Sequence, residues 1–345
     1  MTAPTLDPTP IFELVRGSYA TELLTAAVAE LDLFTKLSTS PMTFDDLRTA
    51  IGLADRPARV LVTAMRAMGL LTATPVGLLT LSPLARDHLV RGASLDITGY
   101  VGLAAGSPGV KAMIERLRTN RPAGAEPDGA GAAFIFREGL DSAMEREASA
   151  RELTLALAGR AKCVAPILAQ VVPLSEARTL LDIGGGTGVY AFACLRRNPE
   201  LRAIIWDRPE VLKVAAEFAQ EYGVADRVEL QAGDMFADPV PPADVMLLSN
   251  VLHDWDVPQC EALVARCATA LPRAGRLLIH DVFLNDALDG PLPIALYSAA
   301  LFTLTEGRAY CGAEYHQWLR SAGLVPGAIT PTLIHCGVLE GRKAR

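Results

Sequence analysis

The chain has 345 residues, half of them hydrophobic, and a formal net charge of −7. That length accommodates two domains with a sizeable core. The acidic balance disfavours nucleic acid or an anionic membrane as partner, and no apolar segment approaches the ~18 residues of a membrane span.

The first stretch, IFELVRGSYATELLTAAVAELDLFTKL, carries apolar residues at helical spacing over two helices' length. Thr43 is placed to cap a short helix, with Asp45 and Asp46 in its first turn. Asp55 is placed to cap a second, with Pro57 at its start. After Gly69, LLTAT and LLTLS flank Pro75-Val76-Gly77 as a two-stranded wing. Helix, turn, helix and wing make a winged-helix pattern. Residues 119–131, rich in Gly, Pro and Ala, are expected to form a surface loop, and a long helix is expected over about 137–170.

From Arg178 the character changes. The apolar stretches TLLDIG, LRAIIWD, RVELQAGD, DVMLLSN and RLLIHDVF alternate with amphipathic segments at 188–198, 209–222 and 258–271. Repeated β–α units predict an α/β fold with a parallel doubly wound sheet. Ligands then bind outside the carboxyl ends of the strands. The final GAITPTLIHCGVLEGR is expected to supply two more strands, one of them antiparallel at the edge. The expected division is an all-α domain with a winged helix over 1–110, a helical linker over 111–170 and the α/β domain over 171–345. The N-terminus shows no basic region followed by an apolar stretch. The six cysteines are scattered, with no CxxC pair, and read as reduced thiols of a cytoplasmic protein.

The strand TLLDI runs into GGGTG and then a helix. Glycines here allow positive φ and close approach of backbone to ligand. A dinucleotide would call for a glycine at Val189. The pattern is instead Asp182-x-Gly184-x-Gly186-x-Gly188, which resembles the first motif of S-adenosylmethionine (SAM) methyltransferases. SAM has no pyrophosphate to place on a helix N-terminus; its ammonium and sulfonium favour carboxylates. Asp207, ending the next strand, suits ribose hydroxyls. Asp234, ending the third, suits the adenine amino group, with Met235 or Phe236 against the ring. Singly, each acid also reads as a cap on the segment after it.

His253 follows the fourth strand, and Asp281 lies near the carboxyl end of the fifth, 28 residues later. In neighbouring parallel strands both side chains reach the rim that carries the glycine loop. An acid beside an imidazole fixes its tautomer and stabilises the imidazolium, which is what a general base requires. A cap, a core histidine and a metal ligand are the other readings. His253, Asp254 and Asp256 are poorly spaced for a metal, and none is expected. Asp254 reads as a polar or capping residue, and Trp255 as packing on the cofactor or the base. His280, next to Asp281, should face the other side of the sheet.

LLDIGGGTG, DRPEVL, GDMF, SNVLHDWD, ALPRAGRLLIHDVFL and EYHQWLRSAGL stand in the order found in SAM-dependent O-methyltransferases of the caffeate/acetylserotonin type. The chain resembles that family over nearly its whole length. The resemblance implies a Rossmann-like SAM methyltransferase domain preceded by a helical dimerisation domain, a homodimer, and methyl transfer from SAM to a small phenolic substrate of specialised metabolism. S-adenosylhomocysteine is the implied product, with no metal, nucleic acid or membrane involved. It makes His253 the catalytic base and puts Asp281 where plant members carry a flanking glutamate. SAM is expected to meet Asp182, Gly184, Gly186, Gly188, Asp207, Arg208, Asp234, Met235, Phe236, Ser249 and Trp255. Phe134, Phe136, Arg137 and Met144 are expected to line the substrate pocket, with Asn250, Tyr297, Glu306 and Tyr310.

The chain departs from the family pattern in two places. Ala309 stands where plant members have a second glutamate, with Glu306 three residues away. Ser249 stands where some have a lysine. Without the second acid, methylation of the ring carbon ortho to a phenol, as with hydroxykynurenine- or tyrosine-like substrates, is the alternative reaction. A SAM-sensing winged-helix regulator is a lesser alternative. Arg56, Arg59 and Arg66 of the second helix could face DNA, but Asp45, Asp46 and Asp55 lie close by.

Overall fold

The computed structural model describes residues 1–121 and 147–344. Contacts divide the chain into two units. A helical unit takes the described residues of Glu13–Ala133 together with Leu284–Ala309, and a sheet unit takes the others. The sequence had suggested boundaries near 110 and 170 instead.

The chain begins with α1 (Thr9–Arg16), α2 (Ser18–Thr25) and α3 (Leu33–Leu37). Five residues of π-helix, Ala26–Glu30, separate α2 from α3. Then come α4 (Phe44–Ile51), α5 (Asp55–Ala67) and an antiparallel hairpin of β1 (Leu71–Ala73) and β2 (Leu79–Leu81). This is the expected helix–turn–helix and wing. The Asp46 amide donates to Thr43 Oγ1 at 3.1 Å, so Thr43 caps α4. Asp55 does not cap α5. Ala54 holds that position, and Asp55 lies one residue inside the helix, paired with Arg59 at 2.6 Å. Three helices follow: α6 (Pro83–His88), α7 (Thr98–Val101) and α8 (Pro108–Thr119). Leu23, Phe34, Leu47, Leu61 and Met65 form the core of this unit.

The sheet unit contains α9 (Glu147–Val171), which packs on two later helices, α10 (Val189–Arg197) and α11 (Pro209–Glu221). Its strands are β3 (Thr179–Ile183), β4 (Arg202–Asp207), β5 (Val228–Ala232), β6 (Val245–Ser249) and β7 (Arg276–Leu284), with α12 (Val257–Ala270) before β7. After β7 the chain returns to the helical unit as α13 (Leu292–Leu304), packed on α5. It ends with β8 (Tyr310–Cys311), α14 (Gly312–Ser321), β9 (Leu324–Pro331) and β10 (Cys336–Lys343).

The strand order is β5-β4-β3-β6-β7-β10-β9, with the short β8 also paired to β7. β3 to β7 are parallel. β6 is buried along its whole length, and β3 and β7 nearly so. Helices cover both faces of such a sheet, so its central strands read as continuous apolar runs. The antiparallel strand is not at the edge, as the sequence had suggested. β10 runs antiparallel between β7 and β9, and β9 forms the edge. The order reverses beside β3, with β4 on one side and β6 on the other. That switch point opens a crevice at the carboxyl ends. No described helix is long and apolar enough to cross a membrane, and no disulfide joins the six cysteines.

Candidate functional site

The loop after β3 is built on left-handed glycines. Gly184, Gly186 and Gly188 have φ of 62°, 58° and 74°, a region that costs any other residue ~1–2 kcal/mol. A side chain added at Gly186 would meet nothing within 4 Å, so the loop presents bare backbone to open space there. Asp182, just below, is 1% exposed, and the Ala191 amide is turned toward its carboxylate without a hydrogen bond of ordinary geometry. Burial first, and the nearby charge of Asp207 second, push its pKa up to about 7.

Asp207 sits at the carboxyl end of β4. Its Oδ2 accepts from the Gly186 amide at 2.8 Å and its Oδ1 from the Arg208 amide at 2.7 Å. Burial raises its pKa, and these two amides oppose the rise. A carboxylate has about four acceptor positions, so roughly two remain for ribose hydroxyls. Asp234 is exposed beyond β5 and folds its own turn, with Oδ1 accepting from the Phe236 amide at 2.7 Å. The Phe236 ring stands edge-on to Trp255, 4.7 Å between centroids, and the Met235 carbonyl accepts from Arg266. Acids at three strand ends, one of them fully buried, suit a cationic nucleoside. They fit SAM.

His253 and Asp281 come together as expected. His253 lies in a short turn just past β6, and β7 runs beside β6. The distance from Nδ1 to Asp281 Oδ1 is 2.5 Å, with both residues buried. The same oxygen accepts the Val282 amide at 2.8 Å. The buried charge of His253 and these bonds outweigh burial and hold the Asp281 carboxyl below its usual range. Tyr315 on α14 faces that carboxylate and helps keep it ionised, although its hydroxyl makes no hydrogen bond of ordinary geometry. An ionised carboxylate only accepts, so Nδ1 carries a proton, and in the neutral imidazole Nε2 is the nitrogen with the lone pair.

A second carboxylate faces the other nitrogen. Asp254 Oδ1 lies 3.6 Å from Nε2, so Asp254 is no helix cap. Asp256 caps α12 instead, its Oδ1 accepting from the Val257 amide. Burial lowers the pKa of His253, but Asp281 and Asp254 outweigh it and the net direction is up. Burial pushes Asp254 up to about 6.

Other expected residues are placed differently. Ser249 turns inward, its Oγ 2.8 Å from His280 Nδ1. His280 is fully buried, and burial drives its pKa down to about 3, so it is a neutral structural residue. Asn250 is fixed by Arg160, whose Nη1 donates to its Oδ1 at 2.7 Å. Tyr310 is buried and donates to the Trp255 carbonyl at 2.5 Å. Tyr297 and Glu306 belong to the helical unit, where Tyr297 lies under the Arg16 guanidinium. Phe134, Phe136, Arg137 and Met144 lie outside the described residues. Among the described residues, no three His, Cys, Asp or Glu side chains converge as metal ligands would. The arginines of α5 are engaged within the protein, and Arg56 is buried. Arg56 donates to the Thr305 and Gly307 carbonyls, Arg59 pairs with Asp55, and Arg66 bonds to the Ala287 carbonyl.

Arg160, Tyr315 and the second position of Asp254 were missed from sequence. The one signal for Arg160 was a lone arginine in the small, apolar run LALAGRAKCV.

A doubly wound sheet with acids at its strand ends and a glycine loop at its switch point defines an α/β enzyme that binds a nucleoside. A family model described as an O-methyltransferase domain matches residues 130–325. The 3-hydroxy-5-methyl-1-naphthoate 3-O-methyltransferase of Streptomyces sahachiroi is 35% identical over 92% of this chain and 89% of its own. The tetracenomycin polyketide synthesis 8-O-methyl transferase of Streptomyces glaucescens is 31% identical over 98% of this chain and 97% of its own. The crystal structure of an O-methyltransferase family 2 protein from Planctomyces limnophilus DSM 3776, complexed with apigenin, is 49% identical. It covers 99% of this chain and 98% of its own, with a TM-score of 0.91. The chain belongs to the O-methyltransferase domain family and is a methyltransferase.

Proposed function

We propose that this enzyme methylates a phenolic hydroxyl of a small aromatic compound of specialised metabolism, with His253 as general base and Asp281 orienting it. The observation that carries this reading is the 2.5 Å contact between Nδ1 and Asp281 at the ends of two neighbouring parallel strands. Bound SAM would supply an electrophilic methyl group and leave as S-adenosylhomocysteine once its sulfur–methyl bond breaks. Asp182, Asp207, Asp234 and the glycine loop would hold it, with Phe236 and Trp255 available to pack against its adenine. Nε2 of His253 takes the phenolic proton as the oxygen attacks. A phenol has a pKa of ~10 and an imidazole of ~6.5, so transfer concerted with attack is favoured over prior ionisation. The naphthoate and apigenin named with two relatives are both planar aromatics, which supports an aromatic acceptor. The reading is of a cytoplasmic enzyme.

The experiment is incubation with apigenin and SAM labelled with carbon-13 in the methyl group, followed by NMR of the product. A methyl carbon bonded to oxygen is expected. One bonded to a ring carbon would make the enzyme a C-methyltransferase. No transfer to a panel of phenols would defeat the phenol reading.

Asp207→Ala is expected to weaken SAM and S-adenosylhomocysteine binding by ~1–3 kcal/mol. Calorimetry checks this, and unchanged affinity would remove Asp207 from the site. We also propose a homodimer through the helical segment. Ile11, Leu14 and Val15 of α1 are 64–81% exposed, a run of apolar surface that a partner would cover. Light scattering at micromolar concentration should give twice the chain mass, and a monomer would contradict it.

A further inference from the structure

Arg160 has no role in the reaction as described so far. It projects from α9 and is half-buried. Its Nη1 donates to Asn250 Oδ1 at 2.7 Å, and its Nη2 lies 2.8 Å from Cys336 Sγ on β10. Asn250 is three residues before His253 and has a left-handed backbone, φ 57°. Its amide donates to the His280 carbonyl at 2.8 Å. Its Nδ2 donates to Ser249 Oγ at 3.1 Å and Tyr190 Oη at 3.3 Å. The turn that leads from β6 to the imidazole is thus clamped through one carboxamide. The guanidinium is the charged member of that clamp, and charge-assisted bonds are the stronger ones.

The charges around the imidazole point the same way. His253 faces Asp281 at Nδ1 and Asp254 near Nε2. His280 is neutral, and the Tyr190 and Tyr315 phenols are raised by burial and stay protonated. Arg160 is the cation acting on both His253 and Asp254, and it lowers the pKa of each. Two carboxylates with no cation nearby would hold a proton on the imidazole.

We propose that Arg160 is a positioning residue for His253. Its guanidinium, held on Asn250 and Cys336, fixes the turn that carries the imidazole and supplies positive charge that offsets Asp254. The proposal rests on His253 being the base. Without the guanidinium, the imidazolium keeps its proton to higher pH and Nε2 is less available to a phenol.

The test follows the His253 ring by NMR in the full-length protein with nitrogen-15 histidine, its signal identified by its loss in His253→Ala. Arg160→Met should move the midpoint of that titration up by on the order of one pH unit. The rising limb of kcat/KM for apigenin methylation should move with it. Arg160→Lys keeps the charge and loses the fork, so its midpoint should stay near wild type while kcat falls several-fold. Arg160→Gln keeps a hydrogen-bonding group and loses the charge; its midpoint should rise as in Arg160→Met, and it serves if the methionine variant does not fold. An unmoved midpoint in the neutral variants overturns the proposal, whatever His253 does in turnover. A raised midpoint combined with full turnover in His253→Ala upholds the hold of Arg160 on His253 and refutes the base.

Discussion

Replacing His253 with alanine is expected to lower turnover by ~10²-fold or more while leaving SAM affinity close to wild type. The imidazole is tied to Asp281 through Nδ1, and its other nitrogen, Nε2, is the one assigned to the acceptor. SAM is assigned instead to the glycine loop and the acids after β4 and β5. Turnover and cofactor affinity should therefore separate cleanly in calorimetry and steady-state kinetics. Asp281→Asn should also slow turnover. An amide cannot stabilise the imidazolium, and it can reverse the tautomer by donating to Nδ1. Because the pair acts as one unit, the double variant should be little worse than His253→Ala alone. Near-full activity in His253→Ala would make the histidine a packing residue, and the phenol would then lose its proton elsewhere.

Gly188→Ala should cost about 3 kcal/mol of folding stability and most of the SAM affinity. Gly188 precedes α10 with φ 74° and ψ 1°. A methyl group there would lie 2.3–2.9 Å from three atoms of the Phe192 ring. That ring is fully buried one turn into α10 and would have to shift. Left-handed strain and overpacking act together, and relief of either reshapes the loop that approaches the cofactor. Urea denaturation and a SAM titration check the two effects. A variant with wild-type midpoint and affinity would show that the loop does not adopt this conformation.

Much of this site could be read from the sequence because it lies at strand ends. The central strands β3, β4, β6 and β7 are mostly apolar runs, so Asp182, Asp207, His253 and Asp281 stand out at or near their carboxyl ends, and Asp234 follows the more exposed β5. Sheet order then brings them to one rim. The parts that were not legible depend on contacts distant in sequence or on fine geometry. Arg160 meets Asn250 90 residues later and Cys336 176 residues later, and no periodicity encodes such a meeting. Asp254 resembled a cap because a helix starts nearby. The actual cap is Asp256, and the intervening turn aims Asp254 back at the imidazole. The place of β10 between β7 and β9 could not be seen in two apolar stretches of similar length. Nor could the return of α13 to the helical unit, since its all-round apolar sequence fits any core.

The most direct test of base catalysis is the pH dependence of kcat/KM for phenol methylation in wild type and His253→Ala, with SAM saturating. The raised pKa of His253 sets the sign. Below that pKa the imidazole is protonated and cannot accept the phenolic proton; above it Nε2 is free. The wild-type profile should therefore rise with pH through a limb displaced above the ordinary histidine value of ~6.5, and His253→Ala should lack that limb. A flat wild-type profile from pH 5 to 9 (a range of ~4 units around that value), or the same limb in both enzymes, would contradict the assignment of His253 as the base.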